Sequence, residues 1–100
     1  MNKPLPAPVH TETIRVRGLV QGVGFRPTVW QLAHEHGIKG CVRNDGDGVQ
    51  ILAQGRNTSL NAFVAAIQSE SPPLARIDSV ERAVTTAADH LLPFVSQASE

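Results

Sequence analysis

Arg26 and Asn44 are the two side chains on which chemistry could be built, and each sits beside a glycine-bearing turn. Arg26 closes the run Gln21-Gly22-Val23-Gly24-Phe25-Arg26. Glycines let a backbone come close to a ligand, and the first N–H groups of a helix have no partner within it. The helix dipole favours negative charge at that end, and a guanidinium adds a planar fork of donors matched to phosphate or carboxylate oxygens. Gln21, Gly22, Val23, Gly24, Phe25 and Arg26 therefore make a candidate phosphate cradle. Asn44 stands immediately before Asp45-Gly46-Asp47-Gly48. Its amide both donates and accepts and brings no charge to repel an anion, which suits holding a water. Arg26 on a phosphoryl group and Asn44 on the attacking water would form a minimal hydrolase that works by positioning and charge stabilisation, with no covalent step. Neither stretch supplies a general base. The substrate then needs a good leaving group, such as a carboxylate, and can accept the water's proton itself.

The pattern around these residues predicts the elements that hold them. Val9 to Val20 reads as a strand, with Ile14 and Val16 on one face and Arg15 and Arg17 on the other. A helix follows over Phe25 to His36, with Pro27 in the first turn, Phe25, Val29, Leu32, Ala33 and His36 at helical spacing, and Gly37 as the residue after its end. Lys39–Asn44 and Gly48–Gln54 form a hairpin around the Asp45–Gly48 turn, where Asp45 and Asp47 read as turn formers. After a Gly55-Arg56-Asn57 connection, Asn57, Thr58 or Ser59 is in place to cap a second helix whose face is Leu60, Phe63, Val64 and Ile67. Pro72-Pro73 ends it, Ala75 to Ala83 is a strand, residues 85–90 a linker, and Leu91 to Gln97 a last short strand. The order β-α-β-β-α-β predicts an α+β ferredoxin-like sandwich: an antiparallel sheet with two helices on one face and a short fifth strand. Asn44, ending the second strand, should then finish near the cradle. The architecture by itself hosts many functions.

Bulk properties narrow the classes. One hundred residues, 41% apolar and 18% charged, describe one globular domain (residues 10–98) behind a proline-spaced leader at 1–9. The formal net charge is zero, so no global field draws in nucleic acid, and an anion must be held locally. The single cysteine, Cys41, allows no internal disulfide. Pro4, Pro6 and Pro8 stand where a secretory signal would need an apolar run, and no stretch approaches a membrane span, so a cytoplasmic location is expected.

Other readings of the same residues are ordinary. Gly22-Val23-Gly24 lacks the third glycine of a dinucleotide fingerprint and the Lys-Ser/Thr of a Walker loop. Arg26 could make a surface salt bridge, and Asn44 could be only a turn residue. Asp45 and Asp47 fall short of a calcium loop, and His34 and His36, two apart on a helix, diverge too far to share a metal. No metal or cofactor is expected. His10 and His90 are isolated, Cys41 beside Val42 reads as a buried inert thiol, and Trp30 as core or helix–sheet packing. Asn57-Thr58-Ser59 matches a glycosylation sequon that a cytoplasmic chain would not use.

Gly18-Leu19-Val20-Gln21-Gly22-Val23-Gly24-Phe25-Arg26, followed by Gly40-Cys41-Val42-Arg43-Asn44-Asp45-Gly46-Asp47-Gly48-Val49, resembles the two signature segments of the acylphosphatase family, in order and at the expected separation. The resemblance implies that Arg26 is the phosphate-binding arginine, Asn44 the water-orienting asparagine, and the Gln21–Arg26 backbone the cradle. Phe25-Arg26-Pro27, Val29-Trp30-Gln31-Leu32-Ala33, the 44–48 turn and Pro72-Pro73-Leu74-Ala75-Arg76-Ile77-Asp78 further resemble the N-terminal domain of the HypF carbamoyltransferases. That resemblance covers about residues 12 to 98. It implies carbamoyl phosphate as substrate and larger zinc-containing and nucleotide-binding domains downstream. It also implies delivery of a carbamoyl group to the terminal cysteine of a carrier protein that matures nickel–iron hydrogenase. A stand-alone acylphosphatase shares the chemistry. A third reading is a ferredoxin-like module that binds an anion or a partner without turnover.

Overall fold

In the computed structural model of the chain, residues 9–46, 48–85 and 94–96 are described. The leader at 1–8, the role of Asp47, residues 86–90 of the linker and residues 91–93 and 97 of the last strand lie outside them.

The elements are β1 (Val9–Leu19), α1 (Phe25–Glu35), β2 (Lys39–Asn44), β3 (Val49–Arg56), α2 (Asn57–Ser69), β4 (Arg76–Val84) and a two-residue β5 (Val95–Ser96). The strands lie in the order β4-β1-β3-β2-β5. The first four are antiparallel neighbours throughout, and β5 joins the edge of β2 in parallel. This is the expected ferredoxin-like sandwich with its short fifth strand.

Alternation along the strands builds the core. Ile14 and Val16 of β1, Val42 of β2 and Val49, Ile51 and Ala53 of β3 are fully buried on one sheet face. The register places Ile14, Ile51 and Val42 in one cross-strand row. The helices complete it with Phe25, Val29, Leu32 and Ala33 from α1 and Leu60, Phe63, Val64, Ala66 and Ile67 from α2. Phe94, just before β5, meets Phe63 edge-on, with ring centroids 6.2 Å apart. Arg15, Arg17, Gln50 and Arg43 point from the opposite face. One acid breaks the apolar pattern: Glu12 is buried among the strands and accepts a two-pronged bond from Arg82, at 2.7 and 2.8 Å, tying β1 to β4.

Four local expectations are corrected. Gly55-Arg56-Asn57 is not a loop, because Gly55 and Arg56 continue β3 opposite His10 and Val9. The N-cap of α2 consequently falls on Arg56, in extended conformation, with no side-chain cap from Asn57, Thr58 or Ser59. Trp30 is 43% exposed, not core: it follows Val29 by 100° around the helix, beyond the edge of the buried stripe. Helix α1 stops at Glu35, one residue early, with His36 as its cap and Gly37 left-handed at φ 67° as expected of the residue beyond.

Candidate functional site

The end of β1 shapes the cradle. Pairing with β4 slips by one residue between Arg17 and Gly18, and the chain then leaves the sheet. Val20 and Phe25 anchor the loop in the core, each 1% exposed, and Val23 packs against that core from above. Between these anchors Gln21, Gly22 and Gly24 face solvent. Gly22 and Gly24 are left-handed, at φ 72° and 80°, and a Cβ on either would meet nothing within 4 Å. Backbone conformation, not crowding, requires glycine here, and the space beside the loop is open.

Gly24 is the N-cap of α1 and has no side chain to occupy the helix end; no acidic residue stands in the first turn. The first helical bond runs from the Thr28 N–H to the Gly24 carbonyl at 3.4 Å, and the Thr28 hydroxyl donates to the same oxygen at 3.1 Å. Pro27 lacks an N–H, so the amides of Gly24, Phe25 and Arg26 make up the donor set of this helix start. Arg26, half-buried, is the second residue of α1.

The β2–β3 hairpin is tied to the same place. Asp45 N–H donates to the Gly48 carbonyl at 3.0 Å, closing the turn, and Gln21 Nε2 donates to that carbonyl at 2.8 Å. Arg15 pairs with Asp45 at 2.6 Å, which offsets the carboxylate next to Asn44. Gly48 passes so close to β1 that a Cβ would run into the Val16 carbonyl. Asn44 pairs with Val49, which pairs with Val16. The row Val16, Val49, Asn44 thus crosses the sheet at the end from which the cradle departs, and alternation turns Asn44 to the helix-covered face. Asn44 makes other interactions, and its Oδ1 is buried with no donor on it among the described residues. The structure therefore gathers the six cradle residues and Asn44 at one end of one face.

The side chain of Gln21, Arg15, Asp45 as an ion partner, and Gly48 as a close-contact residue are the positioning groups that sequence reasoning missed. Gln21 appears in the motif, but only its backbone is implicated by a glycine loop. Elsewhere, His34 Nε2–H donates to the Phe94 carbonyl at 3.1 Å. Cys41 is half-buried on the outer sheet face rather than fully enclosed; desolvation pushes its thiol up, against the opposing pull of Arg43. Among the described residues no cluster of three or more His, Cys, Asp or Glu could hold a metal ion, and no helix is long and apolar enough to cross a membrane.

Known proteins resemble this chain in sequence and fold. A family model described as acylphosphatase matches residues 12–95. The carbamoyltransferase HypF of Rhodobacter capsulatus is 55% identical over 80 residues, which is 80% of this chain and 10% of that protein. An acylphosphatase of Lactobacillus gasseri is 39% identical over 87 residues, covering 86% of this chain and 96% of the relative. Among solved structures, full-length HypF in its phosphate- and nucleotide-bound form superimposes with a TM-score of 0.89, at 28% identity over 97% of this chain and 13% of that one. The acylphosphatase of Bacillus subtilis superimposes with a TM-score of 0.76, at 32% identity over 88% and 96% of the two chains. The chain thus spans about a tenth of the HypF relatives and between 77% and 96% of the small acylphosphatases it matches. With most of its length matched by the family model, the chain belongs to the acylphosphatase family.

Proposed function

We propose that this domain hydrolyses the carboxyl–phosphate bond of an acyl phosphate, with carbamoyl phosphate as the substrate suggested by its HypF relatives. The observation that carries the reading is the left-handed Gly22–Gly24 loop feeding an α1 with no side-chain cap, and tied through the Gln21–Gly48 bond to the hairpin whose first strand ends at Asn44.

The phosphoryl group sits against the amides of Gln21 to Arg26, and the Arg26 guanidinium neutralises its oxygens. Asn44 holds a water on the far side of phosphorus from the leaving group. As the water oxygen bonds to phosphorus, the bond to the carboxyl oxygen breaks, and carbamate or another carboxylate departs with that electron pair. The water's proton passes to an oxygen of the substrate itself, since neither Asn44 nor any side chain of Gln21–Arg26 is a base. Stabilisation comes from donors already in place when charge builds up on the phosphoryl oxygens.

In a HypF-like protein the released carbamoyl unit would pass to downstream domains and then to a carrier protein of hydrogenase maturation, in the cytoplasm. A stand-alone acylphosphatase, the kind of protein the Lactobacillus gasseri relative is, is the second reading and shares the same chemistry. The test is hydrolysis of carbamoyl phosphate and benzoyl phosphate by the chain beside Asn44→Ala. Wild-type turnover that falls about 10²- to 10³-fold in the variant, with inorganic phosphate still bound, supports the site. Equal turnover in both proteins rejects Asn44 as the water-holding residue, and no turnover with phosphate still bound leaves a binding module.

A further inference from the structure

Trp30 is the largest side chain on α1, yet 43% of it is exposed. Four residues advance a helix by one turn and about 6 Å, so Arg26, Trp30 and His34 form one ridge that begins at the cradle. Helical side chains lean toward the N-terminus, which carries the indole back over the turn that holds Arg26. The indole is also supported from behind. The His34 ring packs against it in a tilted contact, with centroids 4.1 Å apart at 43°, and His34 is itself fixed by its bond to the carbonyl of the fully buried Phe94. A large aromatic surface is therefore presented to solvent one turn from the phosphate seat and held in a fixed pose. The core gains little from this arrangement, whereas a ligand with a flat group would.

We propose that Trp30 is the wall against which the planar acyl part of the substrate lies, and that it sets which acyl phosphates the domain prefers. This rests on the phosphate-cradle reading. A phosphate seated at Gln21–Arg26 places its acyl substituent a few bonds away, and a conjugated carboxyl with a planar carbamoyl or aryl group offers a face to an indole. Inorganic phosphate, lacking that group, would not sense the residue.

The chain has one tryptophan and no tyrosine, so its fluorescence reports Trp30 directly. The probes are inorganic phosphate and phenacylphosphonate, the benzoyl phosphate analogue in which a methylene replaces the bridging oxygen. Phenacylphosphonate should change Trp30 emission saturably, and inorganic phosphate should not. By calorimetry, Trp30→Ala should weaken phenacylphosphonate about tenfold while moving inorganic phosphate by less than about twofold, and Trp30→Phe should restore most of the loss. If Trp30→Ala weakens both ligands alike, or neither, the proposal is wrong. If inorganic phosphate fails to bind the wild-type chain, the cradle reading falls instead. The fluorescence titration then decides Trp30 alone: a saturable change with phenacylphosphonate retains the stacking wall, and no change removes it.

Discussion

The described residues hold two helix starts, and they are built differently. Both lack a side-chain cap and an acid in the first turn. The start of α1 is reached through a loop with two left-handed glycines, carries Arg26, and faces a hairpin tied down by Gln21. The start of α2 comes straight off β3, whose pairing holds the backbone extended up to Arg56. It borders a cavity of about 320 Å³ lined in part by His36, Lys39, Arg56 and Ser59. That cavity lies at the C-terminal end of α1, and along β3 the step from Val49 to Gly55 separates the two ends by ~20 Å. Positive charge and helix dipole are thus available at both. Only the first adds a run of backbone amides shaped by left-handed residues and an asparagine on the facing strand. In the proposed site the loop that leads into α1 adds shaped amides to the unpaired N–H groups and dipole that every helix start offers.

This contrast can be broken in graded steps. Arg26→Ala should weaken inorganic phosphate about 10- to 100-fold by calorimetry, because a charge-assisted donor is lost. Its melting temperature should stay close to wild type, since the residue lies outside the core. Gly24→Ala should cost about 1–2 kcal/mol in urea unfolding, from forcing an L-residue to φ 80°, and should also loosen phosphate. Gln21→Ala removes a neutral bond between cradle and hairpin and should cost about 0.5–1.5 kcal/mol, with a modest loss of turnover. Ser59→Ala, at the other helix start, should change phosphate affinity not at all and stability by less than about 0.5 kcal/mol. A large effect of Ser59→Ala on phosphate would move the site to α2.

What could be read in advance follows from the range of the interactions involved. The strands, both helices and the cradle rest on local signals: period-2 alternation at Ile14 and Val16, helical spacing at Leu60, Phe63, Val64 and Ile67, and two glycines before an arginine. The end of β3 was misjudged because Gly55 and Arg56 are held extended by His10 and Val9, nearly fifty residues away. Residue type alone suggests core or helix–sheet packing for Trp30, whereas its angle on the helix argues for the rim, where it is 43% exposed. The Gln21–Gly48 bond and the Arg15–Asp45 pair could not be read from spacing, since each joins residues that meet only after the sheet has formed. The motif was legible, whereas the groups that brace it were not.

The most direct test of the central claim is an amide-resolved NMR titration of the labelled chain with inorganic phosphate at moderate ionic strength. Saturable shifts concentrated at Gln21 to Arg26, with the amides of residues 57–60 unmoved, are the predicted result. Shifts centred on residues 57–60, or spread evenly over both helix starts, would contradict a phosphate site built by the loop before α1.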